Sequence, residues 1–340
     1  MQQQPEHHRH VQHDAVSELD GVSTATGTRS VPLRWLPAGQ VMTCCGYEAV
    51  FPVSTSLKAF AGRVAVVTGV ASGIGRALTY ELAARGAVLA VSDINDAQLA
   101  VTAQHARSLG ATVRADHLDV TDRPAMLSYA EEVAAYFGAA HLVVNNAGVA
   151  HVGDVLGMQF SDIERVMDTN FWGVVNGTMA FLPHLIASGD GHLVNISSLF
   201  GLIPVPTQSA YVASKFAVRG FTESLRIEML AAKMPVRVTC VHPGGVNTAI
   251  ARSGTRNAGA LREGDSGPVG QKLLRMPSEK AATIILRATS RGRPRVLVGR
   301  DARAAYLLSS LTSTGWQRLA ALGFARMSAP RSAPASTGLT

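Results

Sequence analysis

A chain of 340 residues with 47% apolar and 6% aromatic content can bury one large core, roughly 250 residues of domain plus tails. The formal charge of +7 is uneven, because residues 287–340 hold nine arginines against the single acid Asp301 while the rest of the chain sums to −1. The three cysteines, Cys44, Cys45 and Cys240, make no even disulfide framework, no run of about twenty apolar residues is present to cross a bilayer, and no basic face interleaved with aromatics invites nucleic acid.

A reducing, cytoplasmic setting is the simplest expectation, and the first forty residues lack the apolar core of a signal peptide. Residues 1–57 hold glutamine, histidine, serine, glycine and proline without sustained periodicity and read as a disordered extension. His7, His8, His10 and His13 have no cysteine or carboxylate partner at zinc-site spacing, so no metal is expected. Met42 lies just ahead of the organised part, which leaves an upstream-extended reading frame open.

From Arg63 short apolar runs alternate with longer amphipathic ones. The pattern predicts a strand over 64–67, a helix over 74–85, a strand over 87–92, a helix over 96–109, a strand over 112–118, a helix over 123–137 and a strand over 141–145. A long helix is predicted over 160–187, a strand over 192–197, a helix over 209–232, a strand over 236–241, a helix over 279–289 and a last strand over 295–298. Seven apolar strands separated by helices require a parallel sheet covered on both faces, a doubly wound α/β fold of the Rossmann type in a single domain over 58–300. Residues 249–277, rich in Gly, Ser and Arg, read as a loop. Residues 301–327 read as an amphipathic helical segment that packs on its own domain or a partner chain, covers the cleft, or lies on a membrane surface; the packing is favoured. Residues 328–340 read as a disordered tail.

Between the first strand and first helix stands Thr68-Gly69-Val70-Ala71-Ser72-Gly73-Ile74-Gly75. Glycines there permit a tight turn and let backbone amides approach a pyrophosphate at a helix N-terminus. Asp93 ends the second strand, where a carboxylate accepts from both ribose hydroxyls and repels a 2′-phosphate, so NAD is favoured over NADP; Arg76 is the basic residue near enough to oppose that reading. Asp93 also suits a helix cap. Asp119, followed by Val120, ends the third strand, either beside an adenine edge or as a helix cap. Asn145-Asn146-Ala147-Gly148 closes the fourth strand as a turn or as part of a cofactor floor.

Tyr211 and Lys215 are four apart in a predicted helix and so share one face. An ammonium one turn from a phenol favours the phenolate, which suits Tyr211 to general acid/base work. Ser198 reaches Tyr211 only if the chain folds back through the bend at 201–206. The alternative is a packed tyrosine beside an exposed lysine.

Taken together, Thr68-Gly-x-x-x-Gly-Ile-Gly75, Asp93, Asp119, Asn145-Asn-Ala-Gly148, Asn170, Ser198, Tyr211-x-x-x-Lys215 and Pro243-Gly244 with Thr248 make the chain resemble the short-chain dehydrogenase/reductase family over about residues 60–300. The resemblance implies an alcohol dehydrogenase or ketone reductase with a tetrad. Tyr211 exchanges the proton, Ser198 holds the substrate oxygen, Lys215 lowers the phenol's proton affinity and binds the nicotinamide ribose, and Asn170 supports a water leading from Lys215 to solvent. It also implies that Asn146, Ala147 and Gly148 line the cofactor, that Pro243, Gly244, Val246 and Thr248 pass beside the nicotinamide, that residues 249–277 cover the substrate, and that the chain forms a homodimer or homotetramer. Val149, Ala150 and His151, with Leu199, Phe200, Leu202 and Ile203, are the expected pocket walls, mostly apolar, which favours a lipophilic secondary alcohol or ketone. His151 itself is expected at the surface.

Overall fold

The structure, a computed structural model, describes residues 59–248, 250, 254–256, 276–312, 314–318 and 321–322. The predicted N-terminal extension, most of the predicted covering loop and the C-terminal tail lie outside the described residues.

The first half of the domain follows the predicted alternation: β1 Val64–Thr68, α1 Gly73–Ala84, β2 Val88–Asp93, α2 Asp96–Ser108, β3 Val113–His117, α3 Arg123–Phe137 and β4 Leu142–Asn145. The second half holds β5 His151–Val152, α4 Phe160–Met167, α5 Gly173–Ala187, β6 Gly191–Ile196, α6 Ser209–Ala231, β7 Val236–Pro243, β8 Thr255–Arg256, α7 Ser278–Thr289, β9 Arg295–Val298 and α8 Arg300–Thr312.

Seven strands form one parallel sheet in the order β3-β2-β1-β4-β6-β7-β9. Both faces are covered because alternate residues point to opposite sides. Ala65, Val67, Leu89 and Val91 pack with α1 and α7, whereas Val64, Val66, Ala90 and Val143 pack with α3 and α5. The strand order reverses between β1 and β4, and that switch point opens a crevice at the carboxyl ends of the strands.

The predicted helix over 160–187 is corrected in one respect. A π-helical turn, Asp168–Trp172, joins α4 to α5 and contains the buried Asn170. Wide turns of this kind accommodate one extra residue without breaking the helix, and apolar periodicity does not reveal them. The two-residue strands β5 and β8, also absent from the sequence pattern, pair in parallel with His151 opposite Thr255.

Candidate active site

A cavity of about 1080 Å³ occupies the crevice. It is lined at one end by Gly69, Ser72, Gly73 and Ile74, then by Asp93, Asp119 and Val120. Asn146, Ala147, Gly148, Ser198, Tyr211, Lys215, Pro243, Gly244, Val246 and Thr248 line it as well. Gly75 and Asn170 stand behind this lining, and of the expected pocket walls Val149 lines the cavity whereas Ala150, His151, Leu199, Phe200, Leu202 and Ile203 do not.

The glycine turn is shaped by close approach. A Cβ on Gly75 would come within 2.2 Å of the Gly69 carbonyl oxygen and 2.4 Å of the Asn146 amide, and Gly69 and Gly73 both have positive φ, +69° and +57°. Asn146 answers the two readings of its turn at once: its Nδ2 donates to the carbonyls of Thr68 and Gly69 at 2.9 Å each, while the residue also lines the cavity. Thr68 Oγ1 accepts from the backbone N–H groups of Asn146 and Ala147. At the start of α1, Ser72 makes no side-chain cap and no acid stands in the first turn, so the helix N-terminus faces the cavity with its amide groups and positive end available to an anion. Thr248 packs against Gly73 and therefore sits at this anion end.

Asp93 projects into the same cavity, its carboxylate accepting from the backbone N–H groups of Ala71 at 2.8 Å and Asn95 at 2.9 Å. It is not a helix cap; Asn95 caps α2. Arg76, the residue that opposed the NAD reading, is tied back to Thr102, Gln98 and the Ala71 carbonyl. Asp119 accepts twice from Thr121, and Asp122 rather than Asp119 caps α3.

A dinucleotide fits these residues: an uncapped helix start for the diphosphate, a turn whose glycines a Cβ would block, and a carboxylate where a ribose diol can donate.

The chain does fold back through residues 201–206. Ser198 and Tyr211 line the same cavity, and Phe200 meets the Tyr211 ring edge-on at 6.3 Å between centroids. Ser198 Oγ accepts from the Phe200 N–H at 3.1 Å, which fixes its rotamer. Lys215 is buried, donates to the Ile196 carbonyl at 3.0 Å and lies 5.7 Å from the Tyr211 ring centroid. Burial pushes its ammonium down to about 8.

The expected depression of Tyr211 is not found in this state. The side chain is partly exposed to the cleft, yet the protein around its hydroxyl pushes the phenol above its ordinary value, and the Ser198 hydroxyl opposes that rise. Desolvation is the larger of the two influences on the phenol.

Asn170 is fully buried. Its Nδ2 donates to the Val149 carbonyl at 2.9 Å and to Ser214 Oγ at 3.0 Å, and its Oδ1 accepts from the Val149 N–H at 2.8 Å. A Cβ on Gly148 would lie 3.0 Å from Asn170 Oδ1 and 3.6 Å from Lys215 Nζ, so glycine is what lets these two groups flank one point.

Two supporting residues escaped the sequence reading. His242, at the end of β7, holds the Ser198 carbonyl through Nδ1 at 3.0 Å; burial pushes it down to about 4, so near neutrality the imidazole is uncharged and donates. Asp301, on α8, accepts from the Gly245 N–H, and its carboxylate fills the space where Gly244 and Gly299 lack a Cβ. The His-Pro-Gly-Gly run over 242–245 was the available local signal for the first; the second had none. His151 is corrected from surface to buried: Nδ1 faces Thr255 Oγ1 at 2.8 Å and the Asp162 carboxylate at 3.3 Å.

A parallel seven-stranded sheet with this crevice defines a doubly wound dinucleotide fold, and comparison with known proteins places it. A family model described as short chain dehydrogenase matches residues 63–258, and the chain belongs to that family as one of its oxidoreductases. SadH of Mycobacterium tuberculosis, assigned as an oxidoreductase with no substrate in its name, is 53% identical over 270 residues, covering 79% of this chain and 98% of its own. A crystal structure of a short-chain dehydrogenase/reductase from Burkholderia phymatum in complex with NAD superimposes with a TM-score of 0.66 at 28% identity, over 81% of this chain and 99% of that one. An alcohol dehydrogenase from the archaeon Thermococcus sibiricus, complexed with 5-hydroxy-NADP, gives 0.60 at 25% identity over 70% and 96%.

Proposed function

We propose that this protein transfers a hydride between NAD(H) and a lipophilic secondary alcohol or ketone, with Tyr211 as the general acid/base. The observation that carries the reading is the convergence of Ser198, Tyr211 and Lys215 on the cavity that also holds the glycine turn and Asp93. When bound, the nicotinamide supplies or accepts the hydride. This chain's own residues handle the proton. Tyr211 takes it from the alcohol oxygen or returns it to the carbonyl oxygen, Ser198 donates a hydrogen bond to that oxygen as charge develops, and Lys215 stabilises the phenolate form.

Asp93 and the tied-back Arg76 support NAD, as does the NAD bound by the Burkholderia relative; the NADP analogue on the archaeal dehydrogenase favours the other cofactor, and the two are distinguished by titration. Val149 and Ile250, which line the cavity, support an apolar substrate. The domain proposed is 58–300, with 249–277 covering the substrate. A free, buried Cys240 suits a reducing compartment such as the cytoplasm. Exposed Trp172, Met179, Phe216 and Ile227 on the helices around Asn170 and Tyr211 support a homodimer or homotetramer through that face.

The test is a panel of secondary alcohols and ketones assayed with both cofactors by nicotinamide absorbance. Turnover that falls about 100-fold or more in Tyr211→Phe, with dinucleotide binding retained, is the expected result. Unchanged turnover of a good substrate in that variant would overturn the acid/base assignment. A protein that binds NADH but turns over nothing would instead be a dinucleotide sensor.

A further inference from the structure

Helix α8 has two unlike sides. One is seated on the domain: Ala302 is buried, and the Tyr306 hydroxyl accepts from Arg295 at 3.2 Å. The other presents Leu307, Leu308 and Leu311 to solvent, exposed to 57%, 46% and 82%. Helical spacing puts Arg303 one turn before Leu307 and Arg300 two turns before Leu308, and both arginines are exposed, as is Arg318 beyond the helix. The single acid of this basic region, Asp301, is engaged at Gly245.

Three adjacent exposed leucines bounded by arginines need a partner that is apolar within and negative at its rim. A second copy of this chain meeting the same face fits poorly, since the exposed Arg300, Arg303 and Arg318 of the two copies would be brought together. The domain's own cleft is excluded, because the leucines face solvent. We propose that α8 docks the protein peripherally on an anionic lipid surface, the leucines entering the acyl boundary and Arg300, Arg303 and Arg318 remaining among the phosphates. The docking is in-plane, and no described helix is long and apolar enough to span a bilayer. It stands apart from the catalytic reading.

The experiment is flotation of the full-length protein with vesicles of phosphatidylcholine alone or mixed with phosphatidylglycerol, at low and high salt. Expected is a bound fraction at least about tenfold greater on the anionic vesicles, lost at high salt and lost in the Leu307→Gln/Leu311→Gln variant. The Arg300→Gln/Arg303→Gln variant serves as the second probe, with thermal unfolding midpoints confirming that both variants fold. Failure to float on anionic vesicles, equal binding to the neutral ones, or variants that float as well as the parent would each overturn the proposal. So would an oligomer that dissociates when the leucines are replaced, since the face would then belong to a second subunit.

Discussion

Lys215 Nζ lies 5.7 Å from the centre of the Tyr211 ring and donates to the Ile196 carbonyl, with no described carboxylate forming an ion pair with it. A charge buried there is costly for the fold. Its folded value of about 8 lies below the ordinary 10.5, so the unfolded chain binds more protons between those values and stability rises with pH across that window. Below pH 8 the full penalty applies, and replacing the ammonium by an apolar side chain removes it at the loss of one hydrogen bond. Lys215→Met is expected to be inactive yet more stable near pH 7 by about 1–2 kcal/mol, with the gain shrinking toward pH 10. Urea unfolding at the two pH values measures this, and a variant less stable than the parent at pH 7 contradicts it.

Ser198 gives a second test because its hydroxyl opposes the rise that burial imposes on Tyr211. Without it the phenol holds its proton more tightly, so the basic form that alcohol oxidation requires appears at higher pH. Ser198→Ala should lower kcat about 100-fold and move the rising limb of the oxidation profile to higher pH. A fall in rate with the limb unmoved would assign Ser198 to the substrate oxygen alone.

Asp301 tests a contact that spans 56 positions of sequence. By accepting from the Gly245 N–H it fixes the backbone after Pro243, where the cavity wall forms. Asp301→Ala is expected to weaken dinucleotide binding about tenfold, whereas Asp301→Asn, which retains an acceptor oxygen, should stay near the parent. Fluorescence titration of NADH separates the two; equal losses in both variants would mean that the carboxylate's charge, and not its hydrogen bond, is what counts.

What could be seen in the sequence follows from how local each signal is. The Tyr211 and Lys215 pairing needs only helical spacing, and the glycine turn needs only a strand before it and a helix after it, so both were legible. The buried state of His151 depends on Asp162 and on Thr255, 104 residues away, and no window of sequence contains that arrangement. The π turn that turns Asn170 inward is equally silent, since it leaves the apolar pattern of the flanking helices intact. The direction of the Tyr211 shift is hidden for a related reason: spacing reports the nearby charge but not the loss of water around the hydroxyl, and the loss of water sets the direction here.

The proposed preference for NAD rests on a single carboxylate, which makes it directly testable. Asp93 accepts two backbone N–H groups and still faces the cavity, so its charge is held where an adenosine ribose would lie. A diol donates to it; a 2′-phosphate would place two negative charges against it in a partly desolvated cleft, while Arg76 is engaged elsewhere. The wild type is therefore expected to bind NAD at least about tenfold more tightly than NADP, and Asp93→Ala to reduce that ratio by weakening NAD and relieving the repulsion of NADP. Paired calorimetric titrations of both proteins with both cofactors decide the matter. Tighter NADP binding by the wild type would mean that Arg76 leaves its present partners to meet the phosphate, and the preference assigned to Asp93 would have to be abandoned.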